Sequence, residues 1–358
     1  MLKTLDRYII RKFLVTYCFV VLLIVSIVCV IDLAENNIKY LEHNAPFNEI
    51  LGYYGNFAIW IANYITPLTI FIASVFVTSQ LAGRTEVIAI LSSGVSYPRL
   101  VRPYIIGSVF VAVLSFYMNG WVIPDTNKER LHFENEYRRN KHYFSDRDVH
   151  IKLGPSQYLY IKTYRTGSDS ATEITLEEIE GNKLFSKLSA RRMEWQTDTN
   201  KWRLKDWRKT VFDGKKEIIT QGNKLDTALN ISPKYFASKY RVNELLTMKE
   251  LNAYIDDLKL RGAENVIIFQ VEKITRYTAP FAILILTFMG VVVASKKSRQ
   301  GAGVQIATGF VLAFVYIIFF TFSRTLAESK SMNAYIAVWL PNIIFMGIGV
   351  YLYFKAPK

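Results

Sequence analysis

The residues with the types to do chemistry in this chain are charges set where charges are costly. Asp32, Glu35 and Lys39 close one long apolar run, Glu272, Lys273 and Arg276 open another, and Arg324 closes a third. At the edge of a hydrocarbon layer such groups must pair, snorkel to water, or meet an ion or head group. Two readings follow. In one, all of them sit paired or snorkelling at the external head-group level. In the other, Lys39, Lys273, Arg276 and Arg324 ring an outward-facing cavity and hold an anionic lipid head group. Ion-coupled carriers place such charges near the midplane on broken helices. These runs are apolar in their middles, which argues against a carrier.

A second constellation lies in the short stretch Leu81 to Arg102. Val87, Ile90 and Leu91 recur at i, i+3 and i+4, the apolar stripe of a short helix, with Arg84 and Glu86 beside it. Gly94 suits a left-handed residue just past the helix end, and Ser96 with Pro98 suits the start of the next helix. The stretch predicts an amphipathic helix over about residues 84–93, lying across a membrane face. A soluble partner could grip it through Arg84, Glu86, Val87, Ile90, Leu91 and Gly94, or it could simply pack against lipid head groups.

Other chemistry is missing from the sequence. No G-x-x-x-x-G-K-[ST] phosphate loop, H-E-x-x-H or G-x-S-x-G occurs, and His43, His132, His142 and His150 lack metal-ligand spacing. Cys18 and Cys29 fall in one apolar run, too far apart along a helix for a disulfide and without partners for a metal site. The chain reads as a non-enzyme with no catalytic residue, metal or cofactor.

The elements that must position these residues are membrane spans. A soluble protein of 358 residues rarely has a positive mean hydropathy such as the +0.15 found here, with 51% hydrophobic residues, yet 21% charged residues require a sizeable part in water. Apolar runs cover about residues 13–33, 57–81 with a kink at Pro67, 103–123, 266–294, 304–322 and 334–354. Each suffices to cross a bilayer. The first run is long enough to span and lacks a small-residue cleavage site after it, so it reads as an anchor.

Six spans return both termini to one side. Lys3, Arg7, Arg11 and Lys12, then Arg84, Arg99 and Arg102, then Lys296, Lys297 and Arg299, and finally Lys355 and Lys358 mark that side as cytoplasmic. The net charge of +14 follows this orientation and does not indicate nucleic-acid binding.

Between spans three and four the pattern turns strand-like, on the external side. In Gln157–Tyr164, Tyr158, Tyr160 and Tyr164 fall on one face and Leu159 and Ile161 on the other. Arg192–Trp195 with Lys201–Leu204 predicts a hairpin, and Asp213-Gly214 another turn. Short strands without intervening helices suggest an antiparallel sandwich or jelly roll. Thr247 to Glu250 is a capping box for an exit helix ended by Gly262. The expected division is 1–123 for spans one to three, 124–246 for the β domain, and 247–358 for the connecting helix and spans four to six.

This order of elements resembles the LptF/LptG permeases of lipopolysaccharide export. Leu5-Asp6-Arg7-Tyr8-Ile9 is similar to the family's opening, closer to LptG. Arg84-Thr85-Glu86, Ala89, Gly94-Val95-Ser96 and Arg99 are similar to its coupling-helix pattern. Glu272, Arg276 and Pro280 match its E…R…P spacing, and Trp339-Leu340-Pro341-Asn342 its WLPN. The resemblance implies a half-transporter that pairs with a sister permease, LptF or LptG, and binds a dimer of the LptB ATPase through the coupling helix. It would lift lipopolysaccharide from the bacterial inner membrane and pass it along periplasmic jelly rolls, with LptC and LptA as further partners. Members from enteric bacteria carry lysines in span one that meet lipid phosphates. Here Asp32 and Glu35 stand in that stretch with only Lys39 near. A receptor or assembly factor with a partner-binding β domain is the rival reading.

Overall fold

The computed structural model describes residues 3–138, 145–165, 168–181, 183–197, 199–213, 216–229, 231, 233, 242–260, 263, 265–295 and 302–355. The expected turn at Gly214, the helix stop at Gly262, and His142, Lys296, Lys297, Arg299 and Lys358 lie outside them. The chain forms two compact units. One holds Met1–Arg138, Asn243–Leu251 and Ile267–Lys358; the other holds Arg139–Val242 and Asn252–Val266.

The first unit is helical. Its elements are α1 (Thr4–Glu42), α2 (Phe47–Tyr64), α3 (Thr66–Gly83), α4 (Glu86–Ser92), α5 (Tyr97–Tyr117) and α6 (Ile123–Phe133). Beyond the sheet follow α7 (Val242–Leu245), α8 (Met248–Leu260), which passes into the second unit, α9 (Val266–Ala294), α10 (Ala302–Glu328) and α11 (Ala334–Phe354). Six helices among the described residues are long and apolar enough to cross a membrane: Thr4–Glu42, Thr66–Gly83, Tyr97–Arg138, Val266–Ala294, Gly303–Glu328 and Ala334–Phe354. At about 1.5 Å per residue, α1 is roughly twice as long as a bilayer's hydrocarbon core is thick, so its ends must project beyond that core.

Two sequence expectations change here. The run over residues 57–81 is not one kinked helix. It is two helices that part at Ile65, and Pro67 sits in the first turn of α3, where its missing N–H costs nothing. The third run is the middle of a longer helical stretch that continues to Arg138. Pro124 has no N–H for the carbonyl one turn earlier, and a π-helical turn at Met118–Val122 immediately precedes it and absorbs the mismatch.

Helix packing in an apolar solvent depends on close approach, because burial of apolar surface drives nothing there. Gly290 of α9 is the tightest contact: a Cβ there would overlap Ser74 Oγ and stand 3.1 Å from a Phe71 ring carbon of α3. Gly107 of α5 similarly receives Phe13 of α1, and Gly309 of α10 receives Val75 of α3. Phe13 also meets Tyr104 edge-on, with ring centroids 5.4 Å apart.

The second unit carries β1 (Ser145–Lys152), β2 (Gln157–Arg165), β3 (Ser170–Glu180), β4 (Lys183–Gln196), β5 (Lys201–Asp213) and β6 (Lys216–Thr227). All pair antiparallel with their sequence neighbours in one six-stranded sheet, a jelly-roll-like domain built as a meander. Its core unites Ile151, Leu159, Ile161, Tyr164, Ala171, Met193, Trp202 and Leu204, with Ile231 closing over it. The indole of Trp202 is fully buried and donates to the Ile231 carbonyl at 2.7 Å.

One row crosses this sheet without pairing. Ile161 pairs with Ile174 and Thr163 with Thr172, but Lys162 and Glu173 between them do not. The same row continues through Asp148, Arg191, Asp206 and Asn223 on the other strands. Asp148, Glu173 and Asp206, on alternate strands, have φ of 54°, 51° and 51°. All six residues are exposed, their charges alternate in sign from Asp148 to Asp206, and Lys162 meets Glu173 at 2.8 Å.

At this row the inward residues step by three instead of two: Ile161 to Tyr164, Ala171 to Ile174, Ala190 to Met193. Tyr164 is therefore buried with Leu159 and Ile161, opposite to the face that strict alternation assigned it. The reason is the left-handed row, which sequence periodicity cannot register.

Two outcomes follow. A left-handed conformation costs a non-glycine residue about 1 kcal/mol or more, so Glu173→Gly should raise the melting temperature of the purified chain and Glu173→Val lower it. A Gly290→Val change should destabilise the helical unit by about 1–3 kcal/mol through overpacking, seen as earlier loss of helical circular dichroism on heating in detergent.

Candidate functional site

The short α4 is set off by two left-handed residues, Thr85 at φ 62° before it and Gly94 at φ 84° after it. Glycine adopts this conformation freely, but a β-branched threonine is strained in it. Thr85 holds its hydroxyl 2.6 Å from the Arg84 carbonyl.

The stripe seen in the sequence faces inward. Val87 is 2% exposed, and Ile90 and Leu91 lean on the same cluster of Ile9, Phe13, Leu81, Tyr97 and Leu100. Left on the outside are Arg84, Ile88, Ala89, Ser92 and Gly94. Glu86 is half-buried and accepts a hydrogen bond from the Tyr8 hydroxyl of α1 at 3.3 Å. An amphipathic helix on a folded protein places its apolar stripe on its own core, so any partner of α4 would meet the opposite face.

The four head-group candidates part into two pairs. Arg276 and Arg324 come together on one carboxylate: Arg276 Nε reaches Glu272 at 3.0 Å and Arg324 Nη2 reaches it at 2.9 Å. Arg324 Nε also donates to Glu328 at 2.8 Å, which leaves two arginines matched by two glutamates. Arg276 goes further and donates to the backbone carbonyls of Leu246 at 2.7 Å and Asn243 at 2.8 Å. Lys273 is half-buried one residue from Glu272, and Lys39 is exposed near the end of α1. Among the described residues neither lysine has an ion-pair partner.

Sequence reasoning passed over Arg130, which is 1% exposed. It donates to Asn127 at 2.9 Å, Glu134 at 3.0 Å and Glu244 of α7 at 3.2 Å, and its guanidinium lies 4.3 Å from the Trp60 ring centroid. Asn127 adds a bond to the Glu244 carbonyl at 3.2 Å. The four-residue α7 is thus held by Arg130 on one side and Arg276 on the other. Immediately after it the capping box forms as expected: the Thr247 backbone N–H and hydroxyl both donate to Glu250 at 2.8 Å. These bonds hold the Glu250 carboxyl below the ordinary glutamate range.

The acidic residue that departed from the family's lysine pattern also has a use. Asp32 accepts from Arg138 at 2.7 Å and from the Tyr54 hydroxyl at 3.0 Å. Arg138 also bonds Tyr53, whose hydroxyl donates to Glu134 at 3.4 Å. In the middle of the spans a further polar link joins three helices. Buried Asn342 of α11 accepts from the Tyr316 hydroxyl of α10 at 2.8 Å and donates to the Thr278 carbonyl of α9 at 3.4 Å. Asn342 is the last residue of the WLPN stretch. The signal for it was a polar residue inside an apolar run.

These features define an integral membrane protein whose spans are tied by buried ion pairs and whose chain is interrupted by a six-stranded sheet. The family model described as lipopolysaccharide export system permease LptF/LptG matches residues 7–355, nearly the whole chain, and the chain belongs to that family. No curated protein matches it. It is a transport component of the lipopolysaccharide export system and not itself an enzyme.

Removing Glu272 leaves the buried Arg276 and the half-buried Arg324 without their shared counter-ion, a loss of about 3 kcal/mol or more for a buried pair. Glu272→Gln should therefore lower the unfolding midpoint in detergent far more than Glu328→Gln, whose carboxylate serves Arg324 alone.

Proposed function

We propose that this chain is one half of an ABC-type lipopolysaccharide exporter. It pairs with a sister permease, LptF or LptG, and takes its energy from ATP hydrolysed by a separate LptB dimer. The observation that carries this reading is α4, a seven-residue helix set off by left-handed residues, with its apolar stripe packed inward and Ile88, Ala89 and Ser92 outward. A nucleotide-binding subunit meets that outer face and Arg84, while Val87, Ile90 and Leu91 seat the helix on its own core. Both termini and α4 lie in the cytoplasm, as the basic loops require, and the sheet lies in the periplasm, where it passes lipid to LptC and LptA.

Lys39 and Lys273, which have no ion-pair partner among the described residues, are the first candidates to meet anionic groups of the lipid, together with the partly exposed Arg324. Arg276 serves that surface by holding α7. In this reading 1–123 acts with the coupling helix, 124–246 carries the periplasmic jelly roll, and 247–358 supplies the connecting helix and last three spans, although α6, at the start of the middle stretch, packs with the helical unit.

The test is co-purification in mild detergent from the native host. The parent chain should bring a second six-span permease and an ATPase subunit. Ile88→Glu should lose the ATPase subunit and keep the sister permease, and Glu86→Arg should also uncouple the ATPase. A parent chain that emerges alone under gentle conditions sinks the half-transporter reading in favour of the receptor.

A further inference from the structure

The N-terminal turns of α1 hold both ends of the segment that carries α4. Tyr8 bonds Glu86, the first residue of α4, at 3.3 Å. Two residues earlier in α1, Asp6 accepts from Arg99 of α5 at 2.6 Å, just beyond the segment's other end. Asp6 is 1% exposed, and its carboxylate also receives the Lys3 backbone N–H at 2.8 Å. Arg99 Nη1 is buried and has no hydrogen bond among the described residues, so Asp6 is its described counter-charge.

Between these two polar ties, Ile9 and Phe13 of α1 pack in one cluster with Val87, Tyr97, Leu100 and Tyr104. α4 cannot shift outward without breaking the Tyr8 tie, and α5 cannot shift without breaking the Asp6 tie. A packed cluster with polar ties at its rim moves as a body or comes apart.

We infer that the first two turns of α1 are the transmission element of the transporter, with Asp6 and Tyr8 as positioning residues that make α1 follow α4 and α5. The inference rests on the reading that a nucleotide-binding subunit pushes on α4. It adds that Glu86, besides any contact with that subunit, ties α4 to α1 within this chain. α1 is 39 residues long, so a push at its first turns reaches the opposite membrane face at Asp32 and Arg138.

The experiment uses the complete transporter, permease pair and ATPase subunit, in proteoliposomes containing lipopolysaccharide. It compares the parent with Asp6→Asn, Asp6→Glu and Tyr8→Phe, none of which alters the outer face of α4. The readouts are retention of the ATPase subunit and lipid released per ATP hydrolysed. Asp6→Asn should release about tenfold less lipid per ATP with the ATPase subunit retained, the scale of one lost charge-assisted hydrogen bond. Asp6→Glu should recover part of it, and Tyr8→Phe should show a smaller loss of the same kind.

Normal lipid release per ATP in both Asp6→Asn and Tyr8→Phe overturns the inference. So does loss of the ATPase subunit from Tyr8→Phe, which would make the tie a docking feature. Should Asp6→Asn fail to assemble, Tyr8→Phe decides alone, since it removes one hydroxyl from an exposed bond. A parent chain that never retains an ATPase subunit defeats the proposed function itself, an outcome separate from any behaviour of the variants.

Discussion

A guanidinium out of water must find its counter-charges inside the protein, and the helical unit is arranged around that constraint. Arg130 and Arg276 are both nearly inaccessible, and each is surrounded by acceptors from more than one element. Desolvation of a lone charge would cost several kcal/mol, so neither site tolerates a missing partner. Both reach the segment Asn243–Leu246, so together they hold the stretch that leads into α8. Glu272 then carries the constraint to α10 through Arg324. Arg138 does the same for α1 through Asp32.

The other end of the bundle is held mainly by shape. There the side chains of α1, α3, α4 and α5 interlock around Leu81, Val87 and Leu100. Glycines let the backbones approach: Gly107 takes Phe13 and Gly290 takes Phe71. In lipid such contacts supply what apolar burial supplies in water. Two polar ties, Asp6 with Arg99 and Tyr8 with Glu86, close the rim of this packing. Through α1 this tightly packed end is continuous with the ion pair of Asp32 and Arg138.

Most of the span pattern was legible because hydropathy over twenty residues is a local property. The strands and the Thr247–Glu250 box were legible for the same reason, since each depends on residues a few positions apart. The break at Ile65 was not, because Pro67 fits a kink and a helix start equally well. The orientation of α4 was half legible. Its stripe at 87, 90 and 91 was plain, but a stripe does not say whether the chain's own core or another protein will cover it. The slip in the sheet left no periodic trace at all, because Asp148, Glu173 and Asp206 are ordinary exposed residues by type.

The amino-acid sequence alone determined six apolar spans, an antiparallel β insertion, a capped exit helix and a short amphipathic helix between basic residues. Those follow from periodicity and hydropathy, which act within one or two turns of chain. Only the tertiary structure decided which charges neutralise one another. Asp32 pairs with a residue 106 positions away, Asp6 with one 93 away, and Glu272 with one 52 away as well as its own helix neighbour. Coulomb attraction between buried groups selects by distance in space, and no local pattern encodes that distance.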